Sequence, residues 1–310
     1  MDSPQQRNEF RCRQRWPALW LGLLAACLLT ATLNAATQVR VLGWNVRNYV
    51  ISDRRVDGVW REDYPKPESE KAVLRAIVDR YQPDILALQE MGELPFLREL
   101  QRDLNAEGND YPHVFLMEGA DSVRHTAVLS KLPFAETAGV TELPFDYFGE
   151  TVTPLRGVLE VIFETEGTRW SLVNLHLKSR WTDDPRDEES RFRRTREAEV
   201  IRNHLRKKYP PGSSHPLLIV GDFNDHPNSG VLDRFYDVGD TALFPAIDAA
   251  DSRGHVWTYY WARQQTYQRV DFLLGSPALK PFVQRAFIVD EPEPLLASDH
   301  RPLVVDLRFE

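Results

Sequence analysis

Short apolar runs and helical stripes succeed one another from residue 39 to the C-terminus, and the spacing within each predicts its element. Residues 39–46 read as a strand that ends its apolar course at Asn45. In 69–81 the apolar positions Val73, Leu74, Ile77, Val78 and Tyr81 make a helical stripe, and Ser69 is placed to cap its start. Residues 85–88 then form a short strand that delivers Gln89 and Glu90 at its end. This strand, helix, strand order predicts sheet layers covered by helices. Further along, 96–104 reads as a helix and 126–130, 157–163 and 170–175 as strands. The segment 180–206 starts as a charged loop through Trp181, Asp184 and Pro185. It continues as a helix over about 192–205, whose mixed charge reads as a solvated face rather than a ligand site. Strands are expected again at 216–220, 268–274, 282–289 and 302–307, with Asp271 inside the second of these and Asp299-His300 just before the last. The sequence contains no linker, low-complexity tract or short-period repeat, so 310 residues are read as one core behind a short N-terminal segment.

Polar residues punctuate this pattern. Six signatures sit at the edges of successive apolar runs: Trp44-Asn45, Gln89-Glu90, Asn174-Leu175-His176, Gly221-Asp222-Phe223-Asn224, Arg269-Val270-Asp271 and Ser298-Asp299-His300. Together they supply hard oxygen ligands for a divalent metal, neutral amide donors and two histidines. Hydrolysis of a phosphate ester needs that combination.

Charge and cysteine usage narrow the picture. The net charge is −8; the first sixteen residues contribute +2, four arginines against Asp2 and Glu9, which leaves −10 for the rest. No broad basic surface is present for tight, salt-dependent nucleic-acid binding, though a nuclease working transiently through a metal is compatible with this balance. Arg7, Arg11, Arg13 and Arg15 precede an uncharged run over 18–33, followed by Ala35 and Ala36. This reads as a secretory signal cleaved near Ala35 or Ala36. Two other readings stay open. Leu24-Ala25-Ala26-Cys27 resembles a bacterial lipoprotein processing site, and the run is near the lower limit of a membrane anchor. All three place residues 37–310 outside the cytoplasm, with membrane attachment through the N-terminal segment in two of them. Cys12 and Cys27 are the only cysteines, so the body of the protein has no disulfide, thiol nucleophile or cysteine zinc site.

The six signatures, in this order and spacing, resemble those of the endonuclease/exonuclease/phosphatase superfamily. Its members include pancreatic-type deoxyribonuclease, abasic-site endonucleases, bacterial sphingomyelinases and inositol-phosphate phosphatases. The likeness runs over roughly 39–309. It implies a four-layer α/β sandwich, in which two mixed β-sheets pack face to face with helices outside and the active-site loops gather at one end. It also assigns residues: Asn45 matches the asparagine of the first strand, Glu90 the metal-binding glutamate, and His176 the histidine of the deoxyribonuclease and sphingomyelinase branches. Asp222 and Asn224 match the central pair, Asp271 the histidine-orienting aspartate, and Asp299-His300 the terminal pair. Arg47 stands where the abasic-site nucleases carry an acidic residue, which speaks against that branch.

The chemistry of the side chains fits these assignments. Glu90, Asn45 and, by resemblance, Asp299 form the metal side, with Mg2+ expected and Mn2+ an alternative. Asp271 fixes the tautomer of His300, whose other nitrogen removes a proton from the attacking water. Asp222 positions water or protonates the leaving oxygen, and Asn224 donates to a phosphoryl oxygen if Phe223 packs inward. His176 donates to a non-bridging oxygen or to the leaving group, and Asp225 serves the loop or a cap. Lys178 and Arg180 are candidate contacts to substrate phosphate. The expected activity is metal-dependent hydrolysis of a phosphodiester without a covalent intermediate, with extracellular DNA as first substrate. A phospholipid headgroup or small phosphoester is the alternative, and an exposed aromatic loop drawn from Trp60, Trp181, Trp257, Tyr259, Tyr260 and Trp261 favours the lipid. No obligate protein partner is indicated.

Overall fold

The apolar run at 39–46 is the middle of a longer strand, β1 (Thr37–Tyr49), which runs on past Asn45. This computed structural model describes Met1 and residues 36–310 apart from Asp183, Asp240 and Pro292. The expected targeting segment, with Cys12 and Cys27, lies outside the described residues. Among the described residues no helix is long and apolar enough to cross a membrane.

In chain order the principal elements are β1, α1 (Glu68–Tyr81), β2 (Ile85–Met91), α2 (Leu94–Ala106), β3 (His113–Met117), β4 (His125–Ser130), β5 (Glu136–Val140), β6 (Val158–Thr165) and β7 (Thr168–His176). They are followed by α3 (Arg191–Lys208), β8 (Leu217–Asp222), α4 (Gly230–Tyr236), β9 (Asp271–Gly275), β10 (Val283–Ile288) and β11 (Leu303–Phe309). One sheet has the order β10-β11-β1-β2-β4-β3 and the other β9-β8-β7-β6-β5. Each is mixed: β1 and β2 are parallel in the first, β7 and β8 in the second, and the remaining pairs are antiparallel.

Alternation along the strands sorts their side chains into three apolar layers. Val41, Ala87, Val128, Leu172, Val220 and Val305 lie between the sheets. Leu42, Leu86 and Leu129 face α1 and α2 on one outer side. Val173, Ile219 and Phe272 face α3 and α4 on the other. The four-layer α/β sandwich expected from the sequence is the architecture observed.

Gly43 marks the closest approach of the two sheets. A Cβ built there would lie 2.1 Å from Cγ2 of Val220 on the facing strand. Two residues further along each strand, on the same faces, stand Asn45 and Asp222, so this tight step sets how near the site residues of the two sheets come. Gly43→Ala is expected to cost about 1–3 kcal/mol by overpacking against a stiff β-branched side chain. It should also lower turnover by lengthening the Asn45 to Asp222 contact. Denaturant midpoint and steady-state rate on the same variant check both effects.

Three local expectations need correction. The first helix starts at Glu68 after Pro67, and no side chain caps it; the Pro67 carbonyl accepts from the Glu70 and Lys71 amides at 3.0 and 3.1 Å instead of Ser69 doing so. The expected strand at 268–274 is broken. Thr258 Oγ1 accepts from the amides of both Val270 and Asp271 at 3.1 Å, which turns the chain so that Asp271 opens β9. The stretch before that turn, Thr266–Gln268, pairs with Tyr259–Trp261. The face of α3 is not wholly solvated, because Arg194 and Glu197 are buried against the loops at the site end. Asp225 serves the loop as expected, Oδ1 accepting from the His226 amide at 2.9 Å, and also ties that loop to α3, Oδ2 accepting from Arg194 Nε at 3.0 Å.

Candidate active site

Five strand ends and the loop before β11 meet at one end of the sandwich. In register, Asn45 of β1 lies beside Gln89 of β2, His176 of β7 beside Asp222 of β8, and Asp222 beside Asp271 of β9. Polar side chains then cross between the sheets. Asn45 Nδ2 donates to Asp222 Oδ2 at 3.0 Å and to Glu90 Oε1 at 3.3 Å. Deeper in, Gln89 Nε2 donates to Asn174 Oδ1 at 2.7 Å, while Asn174 Nδ2 donates to the carbonyls of Leu88 and Ala127. Gln89 and Asn174 are therefore a buried cross-link that satisfies itself.

The C-terminal signature is fixed by the same logic. Ser298 Oγ donates to the Asn45 carbonyl at 2.7 Å and accepts from the His300 amide at 3.0 Å. Trp44 Nε1 donates to the His300 carbonyl, and the buried Lys66 ammonium donates to the Ala297 carbonyl at 2.7 Å and to Glu70 at 2.8 Å. His300 Nδ1 then meets Asp271 Oδ2 at 2.9 Å, which leaves Nε2 3.8 Å from Asp222 Oδ2. On the opposite flank His176 Nε2 stands 3.7 Å from the same Asp222 oxygen, and its Nδ1 is buried with no protein partner. The Tyr259 ring covers His300 at 4.7 Å between centroids.

Several of these residues occupy backbone conformations that side chains rarely adopt. Arg47, Asn48, Glu90 and Asn224 have φ of 48°, 49°, 61° and 54°. Such residues cost of order 1 kcal/mol or more each and persist where the surroundings hold them. At Glu90 the holding groups are Asn45 and the Asn48 amide, which donates to Oε2 at 2.9 Å. At Asn224 its own amide donates to Asp222 Oδ1 at 2.8 Å, and Nδ2 donates to the Leu177 carbonyl at 3.0 Å and to Asp222 Oδ2 at 3.3 Å. The amide hydrogens of Asn224 are thus spent inside the protein, where they orient Asp222. The expected inward packing of Phe223 is present: it is buried edge-on against Phe235 and Phe272.

Burial and crowding of charge set the electrostatics. Burial, with Asp271 adding to it, pushes the Asp222 carboxyl up to about 7. Burial opposes a charge on His300, but Asp271, Asp222 and Asp299 outweigh it and push the imidazole up to about 10. His176 is held well below the ordinary histidine value, first by burial and then by the positive charge of Arg156. The two histidines flanking Asp222 are therefore driven in opposite directions, as befits groups of different roles.

Lys178 and Arg180 lie at this end of the molecule but are engaged by protein. The Lys178 ammonium, lowered to about 8 by burial and then by Arg156, donates to the Ser179 and Trp181 carbonyls. Arg180 meets the Asn224 carbonyl at 3.4 Å and His226 at 3.0 Å. Of the candidate aromatics, Trp60, Trp181 and Trp261 are exposed, whereas Trp257 lies under the Arg301 guanidinium at 4.0 Å.

Some participants escape a reading of strand ends. Ser298 is legible only as part of its tripeptide. Asp121, Arg124 and Arg156 precede their strands rather than close them, and Glu197 sits in a helix of mixed charge. Buried Glu197 accepts from the amides of Leu155 and Lys178 at 3.1 and 2.8 Å and so ties two site loops to α3.

Donor chemistry suits a divalent cation. Asp222, Asp271 and His300 offer ligand atoms that all lie within 4.8 Å of one another. Beside them Glu90 and Asp299 are only partly buried. The Glu90 oxygens keep lone pairs free beyond the bonds they accept, and the cation nearest Asp299 is Arg47 Nε at 3.7 Å.

Residues 42–300 match the endonuclease/exonuclease/phosphatase family, and the chain belongs to it. It is an enzyme of that family, a metal-dependent hydrolase of phosphoric esters. Among solved structures, a family protein from Bacteroides thetaiotaomicron superposes with a TM-score of 0.63 at 18% identity, covering 89% of this chain and 99% of that one. A mannosyl-6-phosphatase from the same organism gives 0.60 at 18% identity, covering 86% and 98%. The human Nocturnin catalytic domain with bound sulfate gives 0.56 at 19% identity, covering 88% and 95%. These likenesses are of fold. No curated protein matches the sequence.

Proposed function

We propose that this enzyme hydrolyses the phosphodiester backbone of DNA outside the cytoplasm, with Mg2+ held by Glu90, Asn45 and Asp299. The observation that carries the chemistry is the Asn45 amide, which donates to Glu90 and Asp222 at once. The cation ligands and the proton-handling groups are thereby one side chain apart. Glu90 and Asp299 are preferred as ligands over Asp271 and His300 because the latter two are already bonded to each other at 2.9 Å. When bound, the cation neutralises charge building on the phosphoryl oxygens.

The remaining work falls to the chain. Asp271 holds His300 through Nδ1, so that Nε2 faces the space shared with Asp222; in its neutral form the imidazole, made strongly basic by the surrounding carboxylates, takes the proton of the attacking water. Asp222, oriented by Asn45 and Asn224, passes a proton to the leaving oxygen. His176 donates to a phosphoryl oxygen from the opposite side.

DNA is supported by the rim. Trp60 and Trp181 stand 62% and 71% exposed on the segments that follow β1 and β7, and Arg47 Nε lies 3.7 Å from Asp299. Exposed rings on segments leading from site strands suit stacking on bases. Export is supported by the N-terminal arginines and the uncharged run over 18–33. The exposure of Trp60, Trp181 and Trp261 is also what the phospholipid alternative predicts, and Ile51 and Val59 add to it, exposed with Trp60 at the hairpin of Ser52–Val56 and Val59–Tyr64. Purified protein incubated with Mg2+ and supercoiled plasmid, RNA, sphingomyelin vesicles, bis(p-nitrophenyl) phosphate and sugar phosphates separates these. Nicked plasmid is the expected product. Release of phosphocholine or inorganic phosphate with intact plasmid would move the assignment.

A further inference from the structure

Lys66, flanked by Pro65 and Pro67, is only 3% exposed. The proline that follows it favours an extended backbone at Lys66, which narrows the directions its side chain can take. All three ammonium hydrogens are placed on protein: Nζ donates to the Ala297 carbonyl at 2.7 Å, to Glu70 Oε2 at 2.8 Å and to the Arg47 carbonyl at 3.3 Å. Burial opposes the charge and lowers the group from the ordinary lysine value, with Glu70 acting the other way. A buried ammonium is costly, and what offsets it here is three acceptors converging on one atom, a demand that only a lysine nitrogen meets among side chains.

The Arg47 contact leads directly to Glu90. The carbonyl of Arg47 and the amide of Asn48 belong to one planar peptide unit, so while Lys66 holds the carbonyl, the amide donates to Glu90 Oε2 at 2.9 Å. Rotation of that peptide would break both bonds together. Left unheld, the unit has reason to rotate, because Arg47 and Asn48 both stand at positive φ, 48° and 49°. The Arg47 amide meanwhile donates to Asn45 Oδ1 at 3.0 Å, which leaves Asn45 Nδ2 for Glu90 and Asp222. The Ala297 contact acts on the facing loop, since Ala297 leads into Ser298-Asp299-His300. One ammonium therefore joins the segment that orients Asn45 and Glu90 to the segment that carries Asp299.

We propose that Lys66 is a positioning residue for the divalent cation: by gripping the carbonyls of Arg47 and Ala297 it fixes Glu90 and Asp299 relative to each other and so sets the affinity of the site. Charge alone predicts the opposite sign. Lys66 is positive and lies behind a cation site, so removing it would strengthen cation binding if only Coulomb repulsion mattered. Loss of position weakens it.

The proposal rests on Glu90 and Asp299 as ligands, and the test separates the two. Mn2+ binding is measured by calorimetry on substrate-free protein for wild type, Lys66→Met, Lys66→Arg, Glu70→Gln, Leu74→Ala and Glu90→Gln, with melting temperatures alongside. Lys66→Met keeps a long side chain and removes the donors. It is expected to weaken Mn2+ binding about tenfold, the lower end of the range for groups that orient metal ligands. Lys66→Arg keeps the charge but not three donors on one atom, and should recover only part of the loss. Glu70→Gln still accepts through its amide oxygen, and Leu74→Ala only truncates a core contact of α1, so both should lower the melting temperature without moving Mn2+ affinity. A folded Lys66→Met, or Lys66→Arg if the former does not fold, that binds Mn2+ as tightly as wild type or more tightly would overturn the proposal, as would an equal loss in Glu70→Gln or Leu74→Ala. Wild-type affinity in Glu90→Gln would overturn the ligand assignment itself, and the proposal with it.

Discussion

Replacing His300 by alanine is expected to lower kcat by about 10²- to 10⁴-fold, the usual contribution of a general base, while leaving the Mg2+ concentration for half-maximal activity nearly unchanged. The reason is geometric. His300 Nδ1 is committed to Asp271 at 2.9 Å, and its Nε2 opens toward Asp222 rather than toward Glu90. Asp271→Asn should share much of the loss, because it keeps the side-chain size but removes the charge that orients and stabilises the imidazolium. Folding should be little affected in Asp271→Asn, since the amides of Val270 and Asp271 are held by Thr258 and not by the carboxylate. Kinetics across a metal titration give both quantities from one experiment. A His300→Ala enzyme with near-normal turnover at saturating metal would remove His300 from water activation and make Asp222 the base.

The parts of the fold that were legible in the sequence are those whose physics is local. The central strands show mainly apolar runs because both their faces are buried, and α1 shows a clean stripe because one face is. Two of the edge strands, β3 and β5, gave no such signal. Residues of Glu136–Val140 are exposed or half-buried, and their ETAGV sequence carries little alternation. The hairpin of Ser52–Val56 and Val59–Tyr64 is rich in charge, yet its Asp57-Gly58 turn, with φ of 51° and 79°, is a recognisable two-residue hairpin signal that composition obscured. The site was legible for a related reason: catalytic groups sit where rigid strands end. Glu90, His176 and Asp222 stand at or next to the ends of β2, β7 and β8, whereas Asp271 opens β9, His300 precedes β11 and Asn45 lies within β1; the structure brings them together at one end of the sandwich. What sequence could not supply is pairing at a distance. That Glu197 of a charged helix would be buried, or that Asp121 would hold Arg156 across two loops, depends on sheet-to-sheet placement.

Removing the divalent cation is expected to abolish activity, and added Mg2+ or Mn2+ to restore it. The physical ground is the density of negative charge: Glu90, Asp222, Asp271 and Asp299 converge on a site that must admit an anion, and Arg47 is 3.7 Å from Asp299 and 54% exposed at its side chain, too distant and too hydrated to neutralise them. Glu90→Gln probes the ligand assignment directly. It should raise the metal concentration for half-maximal activity at least about tenfold, since a charged hard-oxygen ligand is lost, while kcat at saturating metal falls much less than in His300→Ala. The variant carries a second, smaller cost. Both Glu90 oxygens accept from N–H donors, Asn45 Nδ2 and the Asn48 amide, so either orientation of a glutamine amide sets its NH2 against a donor. A modest fall in melting temperature is expected from that mismatch, and it can be read separately from the metal titration. If half-saturation in Glu90→Gln matches wild type, the cation is held elsewhere. The compact group of Asp222, Asp271 and His300 is then the site to test, through the metal dependence of Asp222→Asn.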